Sequence, residues 1–376
     1  MLDSLMNGFT VLASFLFVLS VVVFFHELGH FQVARWCGVK VKAFSIGFGR
    51  EIFGFYDRYG TRWRVAWLPL GGYVKFMDDE SAASTPSADA LKGMTAEERA
   101  GSFHLKPVWQ RAAIVAAGPI ANFLLAIIIF AAIFVTYGVT TQEPRVGTVV
   151  PDSPAAAAGV QPDDLVLKIQ GESIESFGDL QRIVSLSPGE DLEFQLDRAG
   201  QLVTVRIRPK LTEHEDAFSG KVKTPIIGIT SKLGAQRTTR SVGAGEAVLL
   251  GVEQTKVIIT STFAFLGGLV RGQQSADQLG GPIRIADVSG QVAKFGVQPL
   301  LHFIGVISVS IGLLNLFPIP LLDGGHLMFY AIEAVRRKPL SERSQEIGFR
   351  IGLAIVLMLM VFATLNDLPI LKKWFF

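Results

Sequence analysis

The sequence predicts a polytopic α-helical membrane protein with four transmembrane helices, a membrane-associated β-hairpin loop after the first, and an extracytoplasmic α+β domain after the second. Three observations predict it. Of the 376 residues, 49% are hydrophobic and only 18% are charged, whereas an average soluble domain carries about a quarter charged residues. Apolar runs recur that approach or exceed the roughly 20 residues needed to cross hydrocarbon. Basic residues gather in particular loops. The formal net charge of +2 is too small to argue for a nucleic-acid partner. The single cysteine, Cys37, excludes an internal disulfide framework and any cysteine-rich metal site.

The first span runs from about Phe9 to Phe25 and continues into His26-Glu27-Leu28-Gly29-His30. It is not read as a cleavable signal, because no basic region precedes it and no small-residue cleavage site follows. The second runs from Ala112 to about Val139, the third from about Leu300 to Leu322, and the fourth, shorter one from Ile351 to about Leu365. A fifth candidate, Val257 to Val270, is about 14 residues long and follows Glu253 and Lys256. That length suits an interfacial or core helix better than a span. Arg35, Lys40, Lys42, Arg50, Arg58, Arg62 and Arg64 follow the first span, and Arg336, Arg337, Lys338 and Arg343 follow the third. By the positive-inside rule those loops are cytoplasmic, and the N-terminus and the region from about Thr140 to Pro299 face outward. Lys372 and Lys373 run against the rule, but two charges do not outvote the rest.

Between the first two spans, Val39 to Ile46 and Arg62 to Trp67 alternate with period two, as strands do. Phe48, Phe53, Phe55, Trp63, Trp67 and Phe76 make this loop aromatic enough for a hairpin dipping into the membrane–water interface. Asp78 to about Ser102 is rich in Ala, Ser, Asp and Glu and reads as a mobile linker. In the outer region a strand (Arg145–Val150) precedes a short helix capped by Ser153-Pro154 and stopped by Gly159. A strand, glycine turn and short strand (Asp164–Ile174), a helix (Phe177–Leu186) and two strands (Leu192–Leu196, Val203–Ile207) follow. This order resembles a PDZ domain of the bacterial protease-associated kind, whose groove takes an extended peptide as an added strand.

The chain therefore divides as follows. Residues 1–34 form the first transmembrane helix. Residues 35–111 form the membrane-associated β loop with its linker, and 112–139 the second helix. The PDZ-like domain occupies 140–232, and an amphipathic connector 233–299. The third helix covers 300–330, a cytoplasmic loop 331–350, and the fourth helix with its tail 351–376.

His26 and His30 stand at i and i+4, so both imidazoles share one helix face and reach one ion, with Glu27 beside them to accept a proton from metal-bound water. Ionisable groups inside a span cost on the order of 3 kcal/mol each, and a divalent cation compensates that cost. Two imidazoles leave zinc short of its usual three protein ligands. The missing one should lie at the same depth, and Asp323 and His326 at the inner end of the third span are the candidates. Pro318 and Pro320 should break the helix just before them, which at membrane depth requires a protein-lined or aqueous pocket. Gly118-Pro119-Ile120-Ala121-Asn122 should give a second local break, with Asn122 either bonding a neighbouring helix or supporting the site. Asn315 is a candidate donor to a substrate carbonyl or tetrahedral oxyanion.

Together these motifs resemble the RseP-like bacterial site-2 proteases: His-Glu-x-x-His in a first span, Gly-Pro-x-x-Asn in a second, a PDZ domain outside, and Asn-x-x-Pro-x-Pro-x-x-Asp-Gly-Gly-His in a third. Gly71-Gly72-Tyr73-Val74-Lys75 and Gly280-Gly281-Pro282-Ile283 extend the likeness over nearly the whole chain. The resemblance favours Asp323 over His326. It implies Zn2+ on His26, His30 and Asp323, Glu27 as acid/base, and an aromatic loop that presents an edge to the unwound substrate; Asn315, Asn122, Gly71 and Gly72 are the candidate substrate-binding or supporting residues. It further implies a multi-pass protein of the bacterial inner membrane that cleaves single-span membrane proteins, such as anti-sigma factors already trimmed outside or signal-peptide remnants. The lipid bilayer and a peptide or substrate tail at the PDZ groove are the other partners it implies. The chain has room for one PDZ domain, where some relatives carry two. Two rival readings use the same residues. A metal-ion transporter should show a second set of intramembrane acids or histidines, and the fourth span has none. A catalytically silent PDZ scaffold gains nothing from Glu27.

Overall fold

A computed structural model of the chain describes residues 2–78, 95–216, 220–232 and 237–375. Its elements run in the order α1 (Leu2–Trp36), β1 (Val41–Tyr56), β2 (Arg62–Phe76), α2 (Ala96–Gly101) and α3 (Val108–Tyr137). Then come β3 (Val139–Gln142), β4 (Val146–Val149), α4 (Pro154–Ala157), β5 (Leu165–Ile169), β6 (Glu172–Ser173) and α5 (Phe177–Leu186). Six strands follow: β7 (Leu192–Arg198), β8 (Gln201–Ile207), β9 (Lys210–Asp216), β10 (Gly220–Ile226), β11 (Ile229–Ser231) and β12 (Arg237–Arg240). The chain ends with α6 (Ala244–Val270), α7 (Pro282–Lys294), α8 (Val297–Asn315), α9 (Asp323–Arg336) and α10 (Glu342–Phe375). Two compact units emerge, residues 1–129 with 285–365, and residues 130–284 with 366–376.

In the first unit α1 and α3 pack antiparallel. Gly29 lies against the Ala117 carbonyl so closely that a Cβ would overlap it, and Val18, Val22 and Ile129 share one apolar cluster. Small residues at such crossings let helix backbones approach, which matters in lipid, where no hydrophobic drive separates helix from solvent. α8 runs parallel to α1: Ile304 packs on Val18 and Val22, and Ser308 Oγ donates to the Asn122 carbonyl at 2.8 Å. The aromatic loop folds as the long hairpin β1–β2, closed at Asp57, whose Oδ1 accepts the backbone NH of Tyr59 and Thr61 at 2.9 Å each. Its inner face buries Phe44 and Phe76 against Phe31, Phe103 and Ile114. Phe53, Phe55 and Trp67 remain exposed.

Two expectations are corrected here. α3 is continuous through Pro119, so Gly118-Pro119 makes no break. The linker expected over Asp78 to about Ser102 falls mostly on residues 79–94, outside the described residues, but its end is the helix α2, started by a Thr95/Glu98 capping box. Buried Asp78 ties the two ends of this stretch by accepting the His104 NH at 3.0 Å and the Ser102 hydroxyl.

The second unit holds a sheet ordered β6-β5-β7-β8, all antiparallel, with β4 paired to β11 and β3 to β12. Its core joins Val166 and Ile169 of β5, Leu180 and Val184 of α5, and Phe194 and Leu196 of β7. Ser153 caps α4 and Ser176 caps α5 through a box with Asp179. These elements lie on the segments the sequence assigned to them. The run expected to give about 14 helical residues, Val257 to Val270, is instead the C-terminal half of a 27-residue helix, α6. Glu253 and Lys256 interrupt the apolar run but are good helix formers and do not stop the helix. Among the described residues, five helices are long and apolar enough to cross a membrane, α6 among them with the lowest hydropathy.

Candidate metal centre

The last turns of α1 carry His26 and His30 on one face, their Nε2 atoms 3.3 Å apart. Asp323 reaches them because the helical run stops. α8 ends at Asn315 and α9 starts at Asp323, with the two prolines between, as expected from their lack of an NH and their clash with the preceding turn. Gly324 and Gly325 then let the first turn of α9 sit against the backbone of residues 316–320, where a Cβ would overlap the Leu316, Phe317 and Ile319 carbonyls. Leu321 takes φ = 101°, a strained value for a side chain-bearing residue. The outcome is one carboxylate and two imidazoles whose donor atoms all lie within 4.8 Å of one another.

These residues fit a zinc ion. Asp323 Oδ2 is 3.1 Å from His26 Nε2 and 3.5 Å from His30 Nε2, yet it is buried without the alignment of a hydrogen bond. Three donors turned toward one point, with a buried carboxylate oxygen left unbonded, are what a shared cation resolves. Two imidazoles and one carboxylate are also a donor set that suits zinc with a position left open. His30 is prepared for that role: its Nδ1 lies 2.9 Å from the Ile114 carbonyl, so the proton sits on Nδ1 and the Nε2 lone pair is free.

A cavity of about 290 Å³ opens on the cluster, lined among others by His26, Glu27, His30, Asn315 and Asp323. Gly72, Tyr73 and Val74 of β2 form another wall. Gly72 must be a glycine, since a Cβ would lie 2.9 Å from Glu27 Cγ and 2.8 Å from the Ser45 carbonyl. Gly71 faces Phe48 instead and does not line the cavity. Asn122 is buried behind His26, its amide nitrogen 3.3 Å from His26 Nδ1. His326 lines the cavity but stands outside the three-donor group.

One contributor escaped sequence reasoning. Gly118 lies against both imidazoles, where a Cβ would overlap His30 and come within 2.9 Å of His26 Cε1. Its signal, a glycine beside a proline in a span, reads equally as a kink.

Residues 14–359 match peptidase family M50. The chain is 49% identical over 360 residues to a candidate zinc metalloprotease of Mesorhizobium japonicum, covering 95% of this chain and 98% of that one. It is 49% identical over 355 residues to another from Agrobacterium fabrum, at 94% of each. The metalloprotease MmpA of Caulobacter vibrioides is 45% identical over 386 residues, at 96% of each. A match of this extent decides between the readings that the motifs left open, and the chain is a zinc metalloprotease belonging to peptidase family M50.

Proposed function

We propose that this metalloprotease is an intramembrane endopeptidase that cleaves the transmembrane segment of single-span membrane proteins. The observation that carries the reading is the convergence of His26 and His30 of α1 with Asp323 at the start of α9, beside Glu27 in a cavity walled by a β-strand. His26, His30 and Asp323 hold the metal. Zinc, when bound there, supplies Lewis acidity to a carbonyl and to water. Glu27 takes a proton from the water as its oxygen bonds to the carbonyl carbon, and then delivers that proton to the nitrogen as the C–N bond breaks and the carbonyl re-forms. Asn315 donates to the carbonyl oxygen as negative charge grows on it, while Gly72 leaves room for Glu27 and buried Asn122 backs the His26 imidazole.

A transmembrane helix hides its peptide bonds in internal hydrogen bonds, and the substrate must unwind before it is cut. Among the described residues β1 and β2 pair only with each other, which leaves strand edges to receive the loosened segment. The exposed aromatic residues of the hairpin suit the interface. The four-span reading draws support from the direction of the helices. α1 and α3 are antiparallel and α8 is parallel to α1, so the chain between α3 and α8 makes no net crossing and α6 is not a fifth span. With positive loops inside, the N-terminus and the PDZ-like domain face outward. The family likeness suggests bacterial inner-membrane substrates already shortened outside, anti-sigma factors or signal-peptide remnants, with a substrate tail at the PDZ groove.

The test is Glu27→Gln, assayed on a model single-span substrate with zinc content measured on the same preparation. A fall of roughly 10²–10⁴ in kcat with zinc retained is expected. Hydrolysis at the original rate would remove Glu27 from the chemistry and the reading with it.

A further inference from the structure

We infer that Asn122 is a positioning residue that fixes the His26 imidazole in the tautomer whose Nε2 is free for the metal. The inference rests on the zinc reading of His26 and goes beyond it to a residue that touches neither the cavity nor substrate.

A neutral imidazole that ligates through Nε2 carries its hydrogen on Nδ1, and inside a membrane bundle that N–H needs an acceptor, because a buried donor without one costs free energy. For His30 the acceptor is the Ile114 carbonyl, 2.9 Å away. For His26 the group at Nδ1 is the Asn122 amide, 3.3 Å away. Asn122 is completely buried, and its Oδ1 has no hydrogen-bond partner while the amide nitrogen faces His26. The two ends of an asparagine amide exchange by a half-turn about the last side-chain bond. That turn places the unbonded Oδ1 at Nδ1–H and gives His26 the same arrangement as His30: acceptor behind, lone pair forward. With the nitrogen end forward, the amide would donate to Nδ1 and push the His26 proton onto Nε2, between the metal donors.

The surroundings hold Asn122 in place for this. Its backbone carbonyl accepts the Ser308 hydroxyl at 2.8 Å. Gly312 packs so near that an added Cβ would sit 3.1 Å from Asn122 Cβ. α8 therefore presses Asn122 toward α1 from behind, and the break that delivers Asp323 follows on the same helix. One asparagine thus ties the imidazole of one helix to the element that brings the carboxylate.

The experiment measures zinc affinity by chelator competition on the full-length protein in detergent, and thermal unfolding of the zinc-stripped form, for the parent, Asn122→Leu, Asn122→Asp and His26→Ala. Leucine keeps the branching and heavy-atom count of the side chain and removes the acceptor; aspartate keeps the acceptor. The expected result is zinc affinity 10–100-fold weaker for N122L, affinity within about threefold of the parent or tighter for N122D, and a zinc-free N122L that melts no lower than the parent. N122L with parental zinc affinity would overturn the inference, as would N122D weakened as much as N122L, the mark of a purely structural role. His26→Ala separates the two readings. If it loses zinc while N122L keeps it, only the role of Asn122 falls; if it too keeps zinc at parental affinity, the metal reading of His26 falls.

Discussion

Asp323 Oδ2 lies 3.1 Å from His26 Nε2 and forms no hydrogen bond there. Two polar atoms held this close in a membrane bundle would repel or misalign without a third partner, so removing the carboxylate removes the reason for the arrangement. Asp323→Ala should weaken zinc binding by more than the roughly 100-fold that follows loss of a ligand's hydrogen-bond partner. His326→Ala should leave zinc stoichiometry unchanged, because His326 stands outside the donor group. Zinc analysis after dialysis against a graded chelator series checks both. Unchanged zinc in the first variant and loss in the second would reassign the third ligand.

Gly118 meets the imidazoles where any side chain would collide with them. Overpacking of this kind costs about 1–3 kcal/mol, which corresponds to roughly 5- to 150-fold in zinc affinity if the strain falls on the metal geometry. Gly118→Ala should accordingly bind zinc more weakly and cleave more slowly. Gly8→Ala, at a position on α1 with no neighbour within 4 Å, should do neither. Zinc titration of the two variants side by side is the measurement. Parental affinity in the Gly118 variant would mean the helices separate at no cost.

In the α+β domain of the second unit, buried Asp164 is bridged by Arg198, with contacts of 2.8 Å to Oδ1 and 2.7 Å to Oδ2, and its Oδ2 accepts the Gln161 NH at 2.8 Å. Burial pushes the Asp164 carboxyl up, but the Arg198 hydrogen bonds, the Gln161 NH and the Arg198 charge outweigh it and hold the carboxyl below the usual range. A group whose folded pKa is depressed stabilises the fold above its unfolded pKa of about 4, and that stability is lost as pH falls through the folded value. The domain should thus lose stability with acid below about pH 4. Arg198→Met should cost about 2–3 kcal/mol at neutral pH by stranding the carboxylate, and should flatten the acid limb. Denaturant melts at several pH values check it. An acid limb unchanged in Arg198→Met would assign acid sensitivity to other groups.

Much of this architecture was legible because its causes are local. Apolar runs marked α1, α3, α8 and α10, since a bilayer demands length and composition. Ser153, Ser176 and Gly159 marked helix ends in the α+β domain by capping chemistry. Two prolines marked the break before Asp323. The legible part was weakest where a local rule has two solutions. Pro119 can kink a helix or ride within one whose neighbours satisfy the freed carbonyl, and only packing chooses. The charges at Glu253 and Lys256 shorten an apolar run without shortening a helix, and so concealed half of α6.

The sequence alone determined the donor types, their shared helix face at i and i+4, and the place where a second helix would open. What only the tertiary structure decided was mutual approach: Asp323 against two imidazoles, Asn122 behind one of them, Gly118 giving way to both, and β2 closing the wall beside Glu27. The physical reason is range. Periodicity and capping act over a few residues of one segment, whereas the His26–His30–Asp323 cluster is made by contacts between segments far apart in the chain, set by how closely three helices and a hairpin can pack.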